Sequence, residues 1–388
     1  MDFAPPTDYR LIDNSADLDQ FAKQLKGAAC LAVDLEADSM FHFQERVCLI
    51  QIATLDQSVV IDPIECKDLS VLRPVFKDPA VCKIFHGADY DVRSLFRDFG
   101  IEVHNLFDTQ LASMYMGYRE TGLDAVLQRR FSVKLDKRYQ KKDWSQRPLP
   151  TEMVDYAAAD VAYLIPLKEQ LEAELISKER LGWVLEECTL LSQVRPSDND
   201  GQPLYLRFKG AGRLSPRNLA VLEHLLAYRQ KTAKRKDRPL FKILSNTTLL
   251  KIAGSLPTTG EALDKVKALS PKQKQMYARG LLSAVNKGLE VPEGELPVYP
   301  RRKPPRMPRM APERIKLLKG WRDNVAIRLD LDPALLLTKA LISAIAVTNP
   351  ADVATLVRVA DIRRWQCETF GREIIAVLDC LRPAVKNN

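Results

Sequence analysis

The chain has 388 residues, 46% of them hydrophobic, which is more than one core usually accommodates and predicts two or three globular domains. No run of about 18 apolar residues occurs, and the first residues lack a basic segment followed by an apolar stretch, which points away from membrane and secretion and toward the cytoplasm. Seven cysteines without Cys-x-x-Cys spacing argue against a zinc site or a disulfide framework.

The net charge of +8 is unevenly placed, since residues 201–320 hold 26 Lys/Arg against 8 Asp/Glu. Such a segment is expected to attract polyphosphate, although a merely solvated basic surface has the same composition.

In chain order, residues 1–190 alternate strand-like and helix-like patterns. The apolar run from Cys30 to Val33 predicts a strand, and the runs Val47 to Ile52 and Val59 to Ile61 predict a hairpin closed at Leu55, Asp56 and Gln57. A helix is expected over 69–76, a strand over 81–85, and a helix from about Tyr90 that Gly100 terminates. Thr151, after Pro150, is placed to cap a helix beginning near Glu152. Mixed α/β is the class implied. The polar stretch around Pro196, Ser197, Asp198, Asn199, Asp200 and Gly201 marks a linker, and seven prolines with interleaved arginines in 291–312 mark an extended second one. The expected organisation is therefore 1–195, a linker 196–212, 213–290, a linker 291–312, and 313–388.

The two later segments are copies of each other. A displacement of 93 positions superimposes Leu225 on Leu318, Tyr228-Arg229 on Trp321-Arg322, Ala233 on Ala326, Leu244 on Leu337, Ile252-Ala253 on Ile345-Ala346, and Tyr277 on Phe370 without a gap. A constant offset across apolar and aromatic positions predicts a duplicated helical domain. The copies differ in charge. The first carries Lys231, Lys234, Arg235, Lys236 and Arg238 where the second has Asn324, Ile327, Leu329 and Asp330, so only the first is suited to phosphate.

Chemistry is concentrated in carboxylates. Asp34 and Glu36 close an apolar strand two residues apart and so project from one face. Asp91 falls in the first turn of the helix after Gly87, and Tyr156 and Asp160 share a helical face. Each acid taken alone is an ordinary capping or solvated residue. Together, acids following an apolar run need cations or hydrogen bonds, and an all-oxygen set suits Mg²⁺ or Mn²⁺ rather than zinc.

These residues lie in "VDLEAD", "HGADYDV" and "YAAAD", which resemble the three motifs of the tyrosine-type DEDD exonuclease family. The segments "VCLIQIAT", "LFDTQLA" and "KKDWSQRPL" resemble the ribonuclease D branch, and the repeated units are similar to the helicase-and-RNase-D C-terminal (HRDC) domain. The resemblance covers essentially the whole chain. It implies a ribonuclease H-like (DnaQ-like) α/β exonuclease domain followed by two all-α HRDC-type bundles. The implied activity is 3′–5′ exoribonuclease trimming of structured RNA such as tRNA precursors, with two divalent ions and release of nucleoside 5′-monophosphates.

In the implied roles Asp34 bridges both ions, Glu36 and Asp160 complete the first, Asp91 supports the second and Tyr156 orients the attacking water. The basic run 129–144, with Lys141, Lys142, Tyr139 and Trp144, and the cluster Lys234, Arg235, Lys236 and Arg238 are candidate RNA contacts. His86 is expected to be structural. Two alternatives stand beside this reading: a 3′–5′ DNA exonuclease of repair, and a nucleic-acid-binding scaffold without catalysis.

Overall fold

The computed structural model describes residues 8–196, 201–300 and 307–381. The linker residues Ser197 to Asp200 and 301–306 lie outside this set. The described chain forms two compact units, one of residues 8–37, 47–196 and 307–381, the other of 38–46 and 201–300.

The first unit is built on a six-stranded mixed sheet of β1 (Tyr9–Ile12), β2 (Cys30–Ala37), β3 (Val47–Ala53), β4 (Ser58–Ile61), β5 (Cys82–Phe85) and β6 (Leu106–Asp108), in the order β1-β4-β3-β2-β5-β6. β3 runs antiparallel to β2 and β4, and the other pairs are parallel. Every residue of β3 is buried, because helices cover both faces of the sheet. Alternation along β2 separates these faces. Leu31, Val33 and Leu35 enter the larger core with Phe21, Phe76 and Leu95, whereas Ala32 packs on the other side against Val161, Leu164 and Ile165. The β3–β4 hairpin closes through Thr54 N–H to the Gln57 carbonyl. The stretch expected as one helix over 69–76 is a 3₁₀ turn, Ser70–Leu72, followed by the short helix Arg73–Lys77, which Pro74 opens at the second position.

The second helical repeat belongs to the first unit and shares its core. Trp183 of the Leu181–Ser192 helix stacks on Trp365 at 4.6 Å and 20°, and Tyr115 meets both rings edge-on. Polar contacts surround the stack. The Glu186 carboxylate accepts the backbone N–H groups of Arg364 and Trp365 (2.7 and 2.9 Å), so it caps the Arg364–Asp379 helix from outside. Buried Arg180 donates to the carbonyls of Tyr115 and Leu329, each at 2.8 Å.

In the second unit the helices Pro216–Lys236, Asn246–Ser255 and Pro271–Leu289 enclose a separate core. A Cβ on Gly288 would lie 2.4 Å from the Val221 Cα, so glycine permits the close approach of the first and last of these helices. The Tyr205, Phe208 and Ala211 side chains are buried in this core, so the C-terminal part of the stretch expected as a linker is packed structure. Its aromatic residues outweigh its glycines. Residues 38–46, which join β2 to β3, lie in this unit, with His42 Nδ1 2.6 Å from the Asp237 carboxylate and the Phe43 N–H donating to it at 3.0 Å.

The repeat offset is visible in backbone detail. Ser245 and Thr338 cap equivalent helices, and Asp237 and Asp330, like Leu256 and Asn349, end equivalent helices in the left-handed conformation.

Candidate active site

Asp34 and Glu36 share the β2 face that carries Ala32, the face covered by the Thr151–Val161 helix. That helix brings Tyr156 and Asp160 over the strand, with Ala157 and Ala158 between them allowing close contact with the sheet. Thr151 is its first residue and not its cap. Pro150 takes the N-cap position and no side chain caps the helix.

Asp34, Glu36 and Asp160 each offer a carboxylate oxygen within 4.8 Å of the others. With Tyr156 they line a cleft of about 400 Å³ that also includes His86 and Gln110. Asp91 does not line the cleft. It is buried in the first turn of the Asp89–Phe99 helix, near enough that its charge bears on Glu36 and that of Asp34 bears on it.

The acids are electrostatically frustrated. Burial pushes the Asp34 carboxyl up to about 7. Glu36 rises to about 10, through burial first and then through the charges of Asp34, Asp160 and Asp91. Asp91 and Asp160 rise well above the ordinary aspartate value, both mainly by burial and then by Asp34, and the Tyr156 hydroxyl offsets part of the effect at Asp160. The phenol of Tyr156 is itself held far above its usual value by burial and by these carboxylates. No lysine or arginine is ion-paired with Asp34, Glu36 or Asp160 among the described residues.

Three clustered oxygen donors without a counter-charge are the chemistry of a hard divalent cation site, and magnesium or manganese fits it. Gln51 adds an orphan: it pairs with Asp34 across the sheet, so it shares that face, and neither atom of its buried amide has a partner among the described residues.

Because these carboxyls titrate higher in the folded than in the unfolded chain, the metal-free protein binds more protons when native and loses stability as pH rises from 3.8 toward about 7, and toward about 10 for Glu36. Cations bind the ionised form and oppose that loss. His86, its imidazole value lowered chiefly by burial, acts in the opposite sense only up to 6.5, and Lys83, lowered by burial to about 8, does so only from there upward. Thermal melts at these two limits should show a melting temperature in EDTA that falls with pH, and a gain from millimolar magnesium that grows with pH. An equal gain at both would remove the cluster as a cation site.

Several residues that shape the site carry no obvious signal. Asp108, buried at the end of β6, accepts N–H bonds from Gly87 and Ala88 (3.0 and 2.8 Å) and from Gln110 and Leu111 (2.8 and 3.2 Å). It thereby fixes the turn that delivers Asp91. His86, which lines the cleft, has its ring nitrogens 2.9 Å from the Thr109 hydroxyl and 2.8 Å from the Thr121 carbonyl. Trp144 corrects one expectation: at 1% exposure it cannot stack a base, and its ring packs 6.0 Å from that of Tyr156. Lys141 and Lys142 are exposed but do not line the cleft, whereas Lys137 and Gln140 of the same run do. Lys234, Arg235, Lys236 and Arg238 are exposed on the second unit, with the Lys236 ammonium 5.0 Å from the Tyr277 ring centre.

Comparison with known proteins follows the same lines. A family described as 3′-5′ exonuclease matches residues 9–176, and the HRDC domain matches twice, at 218–285 and 311–378, with the displacement found within the chain. The chain is 30% identical over 371 residues to ribonuclease D of Nitrobacter hamburgensis, covering 95% of this chain and 94% of that one. The catalytic core of RRP6 from Trypanosoma brucei superimposes with a TM-score of 0.63 at 29% identity, over 74% of this chain and 84% of that one. RNase D of Escherichia coli, described as an exoribonuclease involved in structured RNA processing, shares the fold with a TM-score of 0.73 at 24% identity, over 97% and 100% of the two chains.

Proposed function

Because the chain belongs to the ribonuclease D family of 3′–5′ exoribonucleases, we propose that it trims the 3′ ends of structured RNA, tRNA precursors above all, at the cleft holding Asp34, Glu36 and Asp160. The observation that carries this reading is the convergence of those three carboxylates, with no lysine or arginine ion-paired to them among the described residues. Asp34, Glu36 and Asp160 would hold one divalent ion, and Asp34 with Asp91 a second. When bound, magnesium or manganese supplies the positive charge that the attacking and departing oxygens of a phosphodiester require.

The chain's own groups do the rest. Tyr156 remains a neutral phenol through neutral pH, so its hydroxyl orients the attacking water by hydrogen bonding and does not remove a proton as phenolate. Trp144 and Tyr139, packed on its ring, restrict where that hydroxyl points. Hydrolysis places the new bond on phosphorus and leaves the 3′ oxygen with the shortened RNA, so each turn releases a nucleoside 5′-monophosphate. Lys141, Lys142, Lys234, Arg235, Lys236 and Arg238 are proposed to attract the strand through its phosphates, which makes binding salt-dependent.

Matched 3′-tailed RNA and DNA hairpins, incubated with magnesium or manganese, test this directly. Faster shortening of the RNA from its 3′ end, with 5′-monophosphate products, is expected. Faster shortening of the DNA would replace the substrate assignment, and no shortening of either would end the catalytic one.

A further inference from the structure

The duplication allows one buried residue to be compared with its own copy. Arg229 and Arg322 are equivalent, both are buried, and each donates from one terminal nitrogen to the equivalent carbonyl, that of Leu244 at 3.2 Å and that of Leu337 at 3.1 Å. They differ in what balances the charge. The remaining donors of Arg322 reach the carboxylate of Asp323, from Nε at 2.9 Å and from the other terminal nitrogen at 2.7 Å. In the first copy the position of Asp323 is Gln230. Arg229 bonds to the neutral Asn246 side chain at 2.7 Å, and its Nε has no partner among the described residues.

A buried guanidinium without a carboxylate is costly. Burial lowers the Arg229 value below the ordinary arginine range, with no acidic group counteracting it. Arg229 also lines a cleft of about 350 Å³ whose other polar walls are Arg207, Lys209, Gln202, Gln230 and Asn246. No acidic side chain lines it among the described residues. Glu223, on the same helix as Arg229, is engaged by the N–H groups of Leu204 and Tyr205, and so holds the segment bearing Arg207 in place.

We propose that this cleft in the first helical repeat is a phosphate site for the RNA strand, with Arg207 and Lys209 at its rim and Arg229 in its wall, and that the second repeat has lost the equivalent site to Asp323. The proposal rests on the reading of RNA as substrate. It is distinct from the exposed basic residues at the end of the Pro216–Lys236 helix, because it takes a single phosphate into a walled cavity. A guanidinium presented beside two further cations and amide groups is chemistry suited to a phosphodiester oxygen pair.

The test installs in the first copy the carboxylate that the second already has. Full-length Gln230→Asp, with Gln230→Asn as the uncharged control, is titrated with a single-stranded oligoribonucleotide over a range of salt, in a D34N background that prevents degradation. Gln230→Asp should weaken binding about fivefold or more and lower the salt slope by about 0.7, the value for one single-strand phosphate contact, and the control should do neither. Arg207→Glu/Lys209→Glu should reproduce the loss.

Inorganic phosphate at millimolar concentration forms a separate arm. If it raises the melting temperature of wild type and not of Gln230→Asp while oligoribonucleotide binding is equal in both, the site takes free phosphate and the RNA assignment is overturned. Unchanged binding and slope in Gln230→Asp, with hydrolysis of tailed RNA intact in wild type, would overturn the site while leaving the exonuclease reading standing. Absence of hydrolysis in wild type would undermine that reading instead.

Discussion

Asp34→Asn should reduce hydrolysis of a 3′-tailed RNA by roughly 10³-fold or more, since the loss of one preorganised group stabilising transition-state charge already costs about 10²–10³ and this carboxylate is proposed to serve both ions. The amide is isosteric with the carboxylate and leaves the RNA-binding surfaces unaltered. RNA affinity should therefore stay within a few-fold of wild type. A second signature accompanies the loss. Asp34 contributes to the elevated carboxyls of Glu36, Asp91 and Asp160, so the neutral amide should raise the melting temperature of the metal-free protein at pH 8 while activity disappears. A variant that retains activity within tenfold of wild type would remove Asp34 from the centre of the mechanism. One that is inactive and also less stable in EDTA would show that the charge cluster does not carry the strain described.

Trp365→Ala should be the most destabilising single substitution outside the sheet. The indole is 3% exposed, stacked on Trp183, met edge-on by Tyr115, and donates from Nε1 to Glu187 at 3.2 Å. Large-to-small replacement of a buried aromatic costs about 3–5 kcal/mol. Because the second repeat and the nuclease sheet share a core, the cost should fall on both. The expected result is a lowered melting temperature for the first unit, with exonuclease activity lost at the temperature where the Arg364–Asp379 helix melts. If activity persists above the temperature at which the Arg364–Asp379 helix melts, the repeat is an independent domain and the shared core contributes little.

Most of the geometry of the candidate site could be read from spacing, because strand and helix periodicities are rigid: Asp34 and Glu36 had to share a face, as did Tyr156 and Asp160. Gly100 stops its helix in the left-handed conformation, as expected of a C-terminal glycine. What could not be read depends on tertiary neighbours. Asp108 looks like a helix cap, which it is, and nothing local reveals that the same carboxylate also holds the turn before Asp91. Trp144 sits in a basic run that suggests base stacking, yet its ring is part of the core under Tyr156.

The attachment of the second repeat left one trace. Trp365 occupies the position of exposed Lys272 in the first copy, and an aromatic residue in place of a solvated lysine marks a face that is covered in one copy alone.

That shared core sets an order of events during synthesis. Trp365 and its partner Glu187 lie 178 residues apart, and a ribosome adding 5–20 residues per second needs roughly 10–35 s to make the intervening chain. Throughout that interval the nuclease half waits with Trp183 uncovered, while the first repeat, which has a core of its own, is made and can complete its fold. The face of Trp183 that Trp365 covers in the folded protein therefore stays without that partner until the last repeat has been made.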